Sequence, residues 1–222
     1  MAFVAEPEGG YRLKGSERME KRKIIKEYLE PLVIAVLIAL LIRTFVVQAF
    51  KIPSGSMEPT LRVGDYILVN RFIYGIRIPY WGIRLFPYEK PQRGDVIVFI
   101  YPVDPSKDFI KRVIGTGGEK VQIVHNQIYI NDKQIPDPWG YFRKGEPEYF
   151  KWLGNFGPAV VPKNSLFVLG DNRDNSADSR FWGFVPDDDV LGKAFVIYFS
   201  WNRRAENWLH DIRWSRIGEW VH

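Results

Sequence analysis

A serine hydroxyl becomes a useful nucleophile only when a neighbouring group takes its proton. The stretch Ile52-Pro53-Ser54-Gly55-Ser56-Met57-Glu58-Pro59-Thr60-Leu61 offers serines in a loop that its prolines stiffen. Gly55 allows close backbone approach, so the loop can present a serine to an incoming chain. The same composition also suits a plain linker, and the loop alone does not decide between the two. Histidine is a poor source of the base. The three histidines, His125, His210 and His222, are scattered, so a Ser-His-Asp triad or a His-based metal site is hard to assemble. With no cysteine, thiolate chemistry and disulfides are excluded together.

A lysine can supply the base if it is kept dry. Asp108-Phe109-Ile110-Lys111-Arg112-Val113-Ile114 reads as a strand. Side chains alternate along it, so Phe109, Lys111 and Val113 share one face and Ile110, Arg112 and Ile114 the other. Each face sets a cation between apolar residues, and a strand with one wet side buries one of them. Arginine stays charged when buried, whereas lysine sheds its proton. The competing reading is an edge strand with both cations in water. A third stretch, Gly170-Asp171-Asn172-Arg173-Asp174-Asn175-Ser176-Ala177-Asp178-Ser179-Arg180, is dense in hydrogen-bonding groups and bracketed by core-type residues. It is not a calcium loop: counted from Asp174, Ser179 stands where glycine is needed and Val185 where glutamate is needed. Asp/Arg pairs are expected to pin it.

These stretches need elements to position them. The chain has 222 residues, 46% hydrophobic and 15% aromatic, which is enough for a folded core. Its net charge of +5 comes without a dense basic stripe or a nucleic-acid motif, so no nucleic-acid partner is expected. Residues 1–27 read as a polar cytoplasmic tail with Lys21, Arg22, Lys23 and Lys26 clustered near its end. Leu32 to Ile42 is unbroken apolar, and extension over 28–50 reaches spanning length. A transmembrane anchor over 28–50 is expected, its N-terminus inside by the basic cluster. A cleaved secretory signal ending at Val47-Gln48-Ala49 and a buried core helix are the alternatives.

After the serine loop, strands are expected at Asp65–Asn70, Val96–Tyr101, Asp108–Ile114, in a meander over 121–130, and at Ser165–Leu169. Gly115 to Lys120 reads as a hairpin turn, since it lacks the Gly-Lys-Ser/Thr spacing of a phosphate loop. Residues 72–91 carry Phe72, Tyr74, Tyr80, Trp81, Phe86 and Tyr88 among Gly and Pro, and suit a core satellite or a membrane interface equally. Residues 134–162 are poorly periodic and suggest an irregular excursion. Trp201, Trp208, Trp214 and Trp220 lie among arginines, and a mixture of packed and interfacial rings is expected.

Taken in order, the serine loop, Gly64-Asp65, Arg93-Gly94-Asp95, Lys111-Arg112, and Gly170 to Arg180 with Trp182-Gly183 resemble the bacterial type I signal peptidases. The resemblance runs from about Tyr28 to Ser200. It implies a mainly β fold: an N-terminal transmembrane helix, then a catalytic domain of coiled antiparallel sheets over 51–120 and 163–222, with a small variable β excursion over 121–162. It implies a membrane-bound serine protease with no metal or cofactor. Ser56 would be the nucleophile and Lys111 its general base, with the Ser54 hydroxyl and the Ser56 amide as oxyanion hole. Ser176 would orient the amine, and Asp178 and Arg180 would pair, supported by Arg112, Asp171 and Arg173. Phe50, Ile52, Pro53, Met57, Leu61, Phe109 and Ile110 would line pockets for small substrate residues. The implied partners are signal peptides of exported preproteins, membrane lipid and, by proximity, the secretion translocon. The implied location is the bacterial cytoplasmic membrane, single-pass, with the catalytic domain outside. A self-cleaving repressor-type Ser/Lys protease and a non-catalytic anchored β domain that binds envelope partners are the other readings of the same residues.

Overall fold

In a computed structural model of the chain, residues 25–77, 84–85, 88–142, 154–202 and 211–222 are described. The expected tail up to residue 24, Tyr80, Trp81 and Phe86 of the aromatic loop, and Trp208 lie outside them. The chain divides into a unit ending at Thr44 and a second unit from Phe45 to His222.

In the first unit a π-helical turn, Ile25–Leu29, runs into helix α1, Glu30–Phe45. Leu32, Val33, Ile34, Val36, Leu37, Ile38 and Leu40 of α1 are all exposed. No helix among the described residues is long and apolar enough to cross a membrane. The expected anchor over 28–50 also ends early. Helix stops at Phe45, and Val47–Lys51 is a strand, β1. Backbone pairing of Val47 to Lys51 with Asn70 to Tyr66 draws that segment into the sheet, and β-branched Val47 favours it there.

The second unit is built on antiparallel strands β2 (Asp65–Asn70), β3 (Ile76–Arg77), β4 (Arg84–Leu85), β5 (Val96–Ile100), β6 (Asp108–Thr116), β7 (Lys120–Val124), β8 (Gln127–Ile130), β9 (Lys133–Gln134), β10 (Phe156–Val160), β11 (Ser165–Leu169), β12 (Val185–Pro186) and β13 (Val190–Ser200). The main sheet runs β1-β2-β13-β5-β6-β11-β12, so β1 is an outer strand and β6 an inner one. A smaller sheet, β10-β7-β8-β9, includes a strand from a region expected to be irregular. Its hairpins turn at His125-Asn126 and Asn131-Asp132, all at positive φ, a conformation that Asn and Asp tolerate and that matches strand twist.

Burial explains why β6 holds what it holds. Val96 and Val98 of β5 join one core cluster with Ile52, Met57, Leu61 and Ile67, while Ile97 and Phe99 join another with Val113 and Val168. The strand pairing sets Ile97 opposite Lys111 and Val96 opposite Arg112. Both faces are therefore covered, and both cations are buried, Lys111 to 4% exposure and Arg112 to 0%. The expectation of one buried and one wet cation is corrected: it assumed a one-sided sheet, and β6 lies between two core layers.

In the C-terminal stretch Trp201, Trp214 and Trp220 are exposed. The chain there returns to β13 through bridges at Val196–Trp220 and Trp201–Ile212.

Candidate active site

The serine loop leaves β1 at Ile52, whose amide donates to the Asp65 carbonyl. Ile52, Met57 and Leu61 sink into the core and act as its pegs. Internal bonds from the Glu58 amide to Gly55 O and from the Leu61 amide to Met57 O fold the segment between them. With the apolar residues pointing in, Ser54 stays exposed and Ser56 half-buried at the surface.

Lys111 arrives from the sheet side. Its Nζ lies 2.8 Å from Ser56 Oγ and donates to Ile110 O at 2.9 Å. The Phe109 ring lies 5.4 Å from the amine. Burial pushes the lysine pKa down to about 8, against the pull of the Asp178 and Asp171 carboxylates. Among the described residues no hydrogen bond engages the Ser54 hydroxyl or the Ser56 amide.

The Gly170–Arg180 loop holds this pair from the other side. The Asn172 amide donates to Ser56 O at 3.1 Å, and its side-chain amide donates to Gly55 O at 3.0 Å. Asp171 takes a two-pronged bond from Arg112, at 2.8 and 2.6 Å, with both side chains fully buried. Thr60 Oγ1 donates to the same carboxylate at 2.6 Å, tying the serine loop to the pair. Asp178 is bonded twice by Arg180, at 2.8 and 2.9 Å, and accepts the Gly170 amide. It also caps the short helix α2, Ser179–Trp182. Arg173 donates from Nε to Gly170 O and pairs with Asp137.

The structure thus brings Ser56, Lys111, Arg112, Asp171, Arg173, Asp178 and Arg180 together through side-chain and backbone hydrogen bonds, while Ser54 stands exposed in the serine loop beside them. Ser176 stands apart from them. Among the described residues its hydroxyl is buried beside Gly170 with no hydrogen-bond partner, and the hydrogen-bond partners of the Lys111 amine are Ser56 and Ile110. The expected pocket residues divide by burial. Phe50, Pro53, Phe109 and Ile110 reach the surface; Ile52, Met57 and Leu61, at 2%, 0% and 0% exposure, can form only its floor. A cleft of about 640 Å³ runs beside the serine loop, lined by Lys51, Pro53, Glu58, Arg62, Tyr66 and Trp201 among others, and neither Ser56 nor Lys111 borders it.

Thr60, Asn172, Asp137 and Arg216 were not among the residues expected to build the site. The first two stand inside stretches already singled out. Arg216 carries no local signal: it bonds buried Asp65 and Thr60 O across 151 and 156 positions.

Gly170 is required by close approach. A Cβ there would overlap the Ser176 hydroxyl and stand 2.5 Å from Ser56 O. Gly170→Ala is expected to push the serine loop outward and lower kcat by roughly 10- to 100-fold, the cost of a displacement near 1 Å. Steady-state kinetics below the variant's melting temperature reads this; an unchanged kcat would show that the contact is absorbed elsewhere.

The family model described as signal peptidase, peptidase S26, matches residues 25–201. Signal peptidase I of Pseudomonas fluorescens is 39% identical over 233 residues, covering 91% of this chain and 81% of that one. Signal peptidase I of Pseudomonas aeruginosa is 38% identical, covering 83% and 76%. Signal peptidase I of Aquifex aeolicus is 35% identical, covering 79% and 85%. A serine endopeptidase is the class these matches define. Within it, the chain belongs to the signal peptidase family, peptidase S26.

Proposed function

We propose that this protein removes N-terminal signal peptides from exported preproteins, with Ser56 as nucleophile and Lys111 as general base. The observation that carries the reading is the 2.8 Å separation of Ser56 Oγ and Lys111 Nζ, with the amine almost dry. In the neutral state Nζ accepts the Ser56 proton as Oγ attacks the scissile carbonyl. The C–N bond breaks, the protonated amine returns its proton to the leaving nitrogen, and an acyl-enzyme on Ser56 remains. Water, activated by the same amine, attacks the acyl carbon and releases the signal peptide with a new carboxylate. The Ser54 hydroxyl and the Ser56 amide would donate to the developing oxyanion, each worth roughly 3–4 kcal/mol in comparable sites.

Phe50, Pro53, Phe109 and Ile110 form shallow walls suited to small residues before the cut. The substrate lies extended and adds to the free edge of β1. The apolar α1 with its preceding turn is the membrane anchor, which keeps the second unit on the extracytoplasmic side of the cytoplasmic membrane, near lipid and the translocon. The chain divides into tail, anchor, catalytic sheet and the variable excursion around β7–β10.

A preprotein cleavage assay in detergent tests this. Ser56→Ala is expected to lower kcat by a factor on the order of 10⁴ or more while the fold persists. For the wild type, kcat/KM should rise about tenfold per pH unit below pH 8 and level above it, because only neutral Lys111 accepts a proton. Full activity in Ser56→Ala, or a flat profile across that range, would overturn the assignment.

A further inference from the structure

After β9 the chain does not simply return to its own small sheet. Ile135 still bonds β8 through Ile128 O, and the next residues then cross to the Asp171–Arg173 segment. The Tyr141 amide donates to Asp171 O at 2.7 Å, and the Arg173 amide donates to Tyr141 O at 2.9 Å, forming a parallel bridge between Tyr141 and Asn172. Asp137 makes a two-pronged pair with Arg173, one prong at 2.8 Å from Nη2 to Oδ1. Arg173 is 2% and Asp137 13% exposed at the side chain, so the pair is largely shielded from water. The Trp139 ring sits 4.7 Å from the Arg112 guanidinium carbon. It also packs close to Gly94, whose carbonyl accepts from Arg112.

We propose that this strap, residues 135–141, is a positioning element of the active site and that Asp137 is the residue through which it acts. Asp137 fixes the Arg173 guanidinium. Arg173 in turn holds Gly170 O through Nε, and it follows directly on Asn172, which carries the carbonyls of Gly55 and Ser56. The path from Asp137 to the reacting oxygen is therefore a short series of direct bonds: carboxylate, guanidinium, loop backbone, serine loop. Asp137 touches neither substrate nor reacting atoms, so its effect falls on the approach of Ser56 Oγ to Lys111 Nζ. A surface ion pair would have no such consequence, because exposed pairs are screened and worth little. A shielded pair that ties the strap after β9 to the loop after β11 sets their relative position. The strap thereby gives the small sheet a role in catalysis that its distance in sequence from Ser56 conceals.

This inference rests on Ser56 and Lys111 being the reacting pair. The test is a kinetic double-mutant cycle on the full-length protein in detergent, with Asp137→Asn, Arg173→Gln and the double variant, each assayed well below its melting temperature. Asp137→Asn is expected to lower kcat by roughly 10- to 100-fold with KM nearly unchanged, since a small misplacement costs rate rather than binding. The double variant should be no slower than the worse single, because both break one tie. Losses that multiply in the double variant, a rise in KM alone, or a lowered melting temperature with wild-type kcat would each overturn the proposal. Should Asp137→Asn fail to fold, Asp137→Glu lengthens the tie by one methylene, and there a kcat loss supports the proposal and an unchanged kcat overturns it. Ser56→Ala in the same assay separates the two levels. If it stays active the assignment of the reacting pair is at fault; if it is dead while Asp137→Asn matches wild type, only the strap is.

Discussion

Lys111→Met is expected to abolish cleavage and to make the protein more stable. The two effects share a cause. The amine is 4% exposed, and burial lowers its pKa from 10.5 to about 8. A depressed lysine pKa means that the unfolded chain binds protons more readily than the folded one. Below pH 8 both states are protonated and the folded state bears the full cost of a buried charge, roughly 3 kcal/mol at 1.36 kcal/mol per unit. Between pH 8 and 10.5 the folded state has shed its proton while the unfolded state keeps its own, so that cost fades by about 1.36 kcal/mol per pH unit and is gone once the unfolded state is neutral too. Methionine fills the same volume without charge. Denaturant melts at pH 7 should therefore show Lys111→Met to be the more stable protein, with the gain shrinking to nothing near pH 10.5. Preprotein cleavage should fall by a factor on the order of 10⁴ or more, since among the described residues the Lys111 amine is the side-chain group bonded to Ser56 Oγ. A variant that loses activity and stability together would mean that the amine is a structural prop rather than a group held against its preference.

Asp171→Ala should be among the most damaging single substitutions outside the apolar core. It leaves the Arg112 guanidinium, at 0% exposure, without its carboxylate. Removing one partner of such a pair costs roughly 3–5 kcal/mol, because the remaining charge is neither solvated nor balanced. The Thr60 bond is lost as well. Replacing both members by apolar residues, as in Arg112→Met with Asp171→Leu, should cost much less than Asp171→Ala alone. Equilibrium urea melts of the singles and the double decide this, and additive losses would show that the pair is not coupled. Any residual activity of Asp171→Ala carries a second signature. The Asp171 charge holds the Lys111 pKa up, so its loss should move the rising limb of the pH profile to lower pH.

The main strands could be read from the chain because their alternation and their turns agree. Asp65 to Asn70 alternates buried and half-buried through its length, and Ser165 to Leu169 has the expected bounds. A buried cation on β6 was legible because Lys111 and Arg112 each stand between apolar neighbours on a strand; the role of base for Lys111 came from the resemblance. What the chain concealed was the depth of β6. Whether a strand has one wet face depends on the order of strands in the sheet, and that order pairs β5 with β13 and β6 with β11, far apart in sequence. The end of α1 was misplaced for a similar reason: Val47 to Phe50 are apolar enough to prolong a helix, and only the partner strand at Ile67 to Asn70 claims them. The role of Ser176 was inferred by resemblance and not by geometry, and among the described residues its buried hydroxyl has no hydrogen-bond partner. Asp137 and Arg216 act through contacts that no local pattern announces.

Among the described residues strand β1 has a neighbouring strand on one side only. A polypeptide that is to lie along its open side must bring unpaired amides and carbonyls of its own, and only a chain that has not yet folded at that point has them to give. On the proposed docking at β1, cleavage would therefore race with the folding of the substrate, and a preprotein that collapses around its junction first would be lost, however suitable its residues.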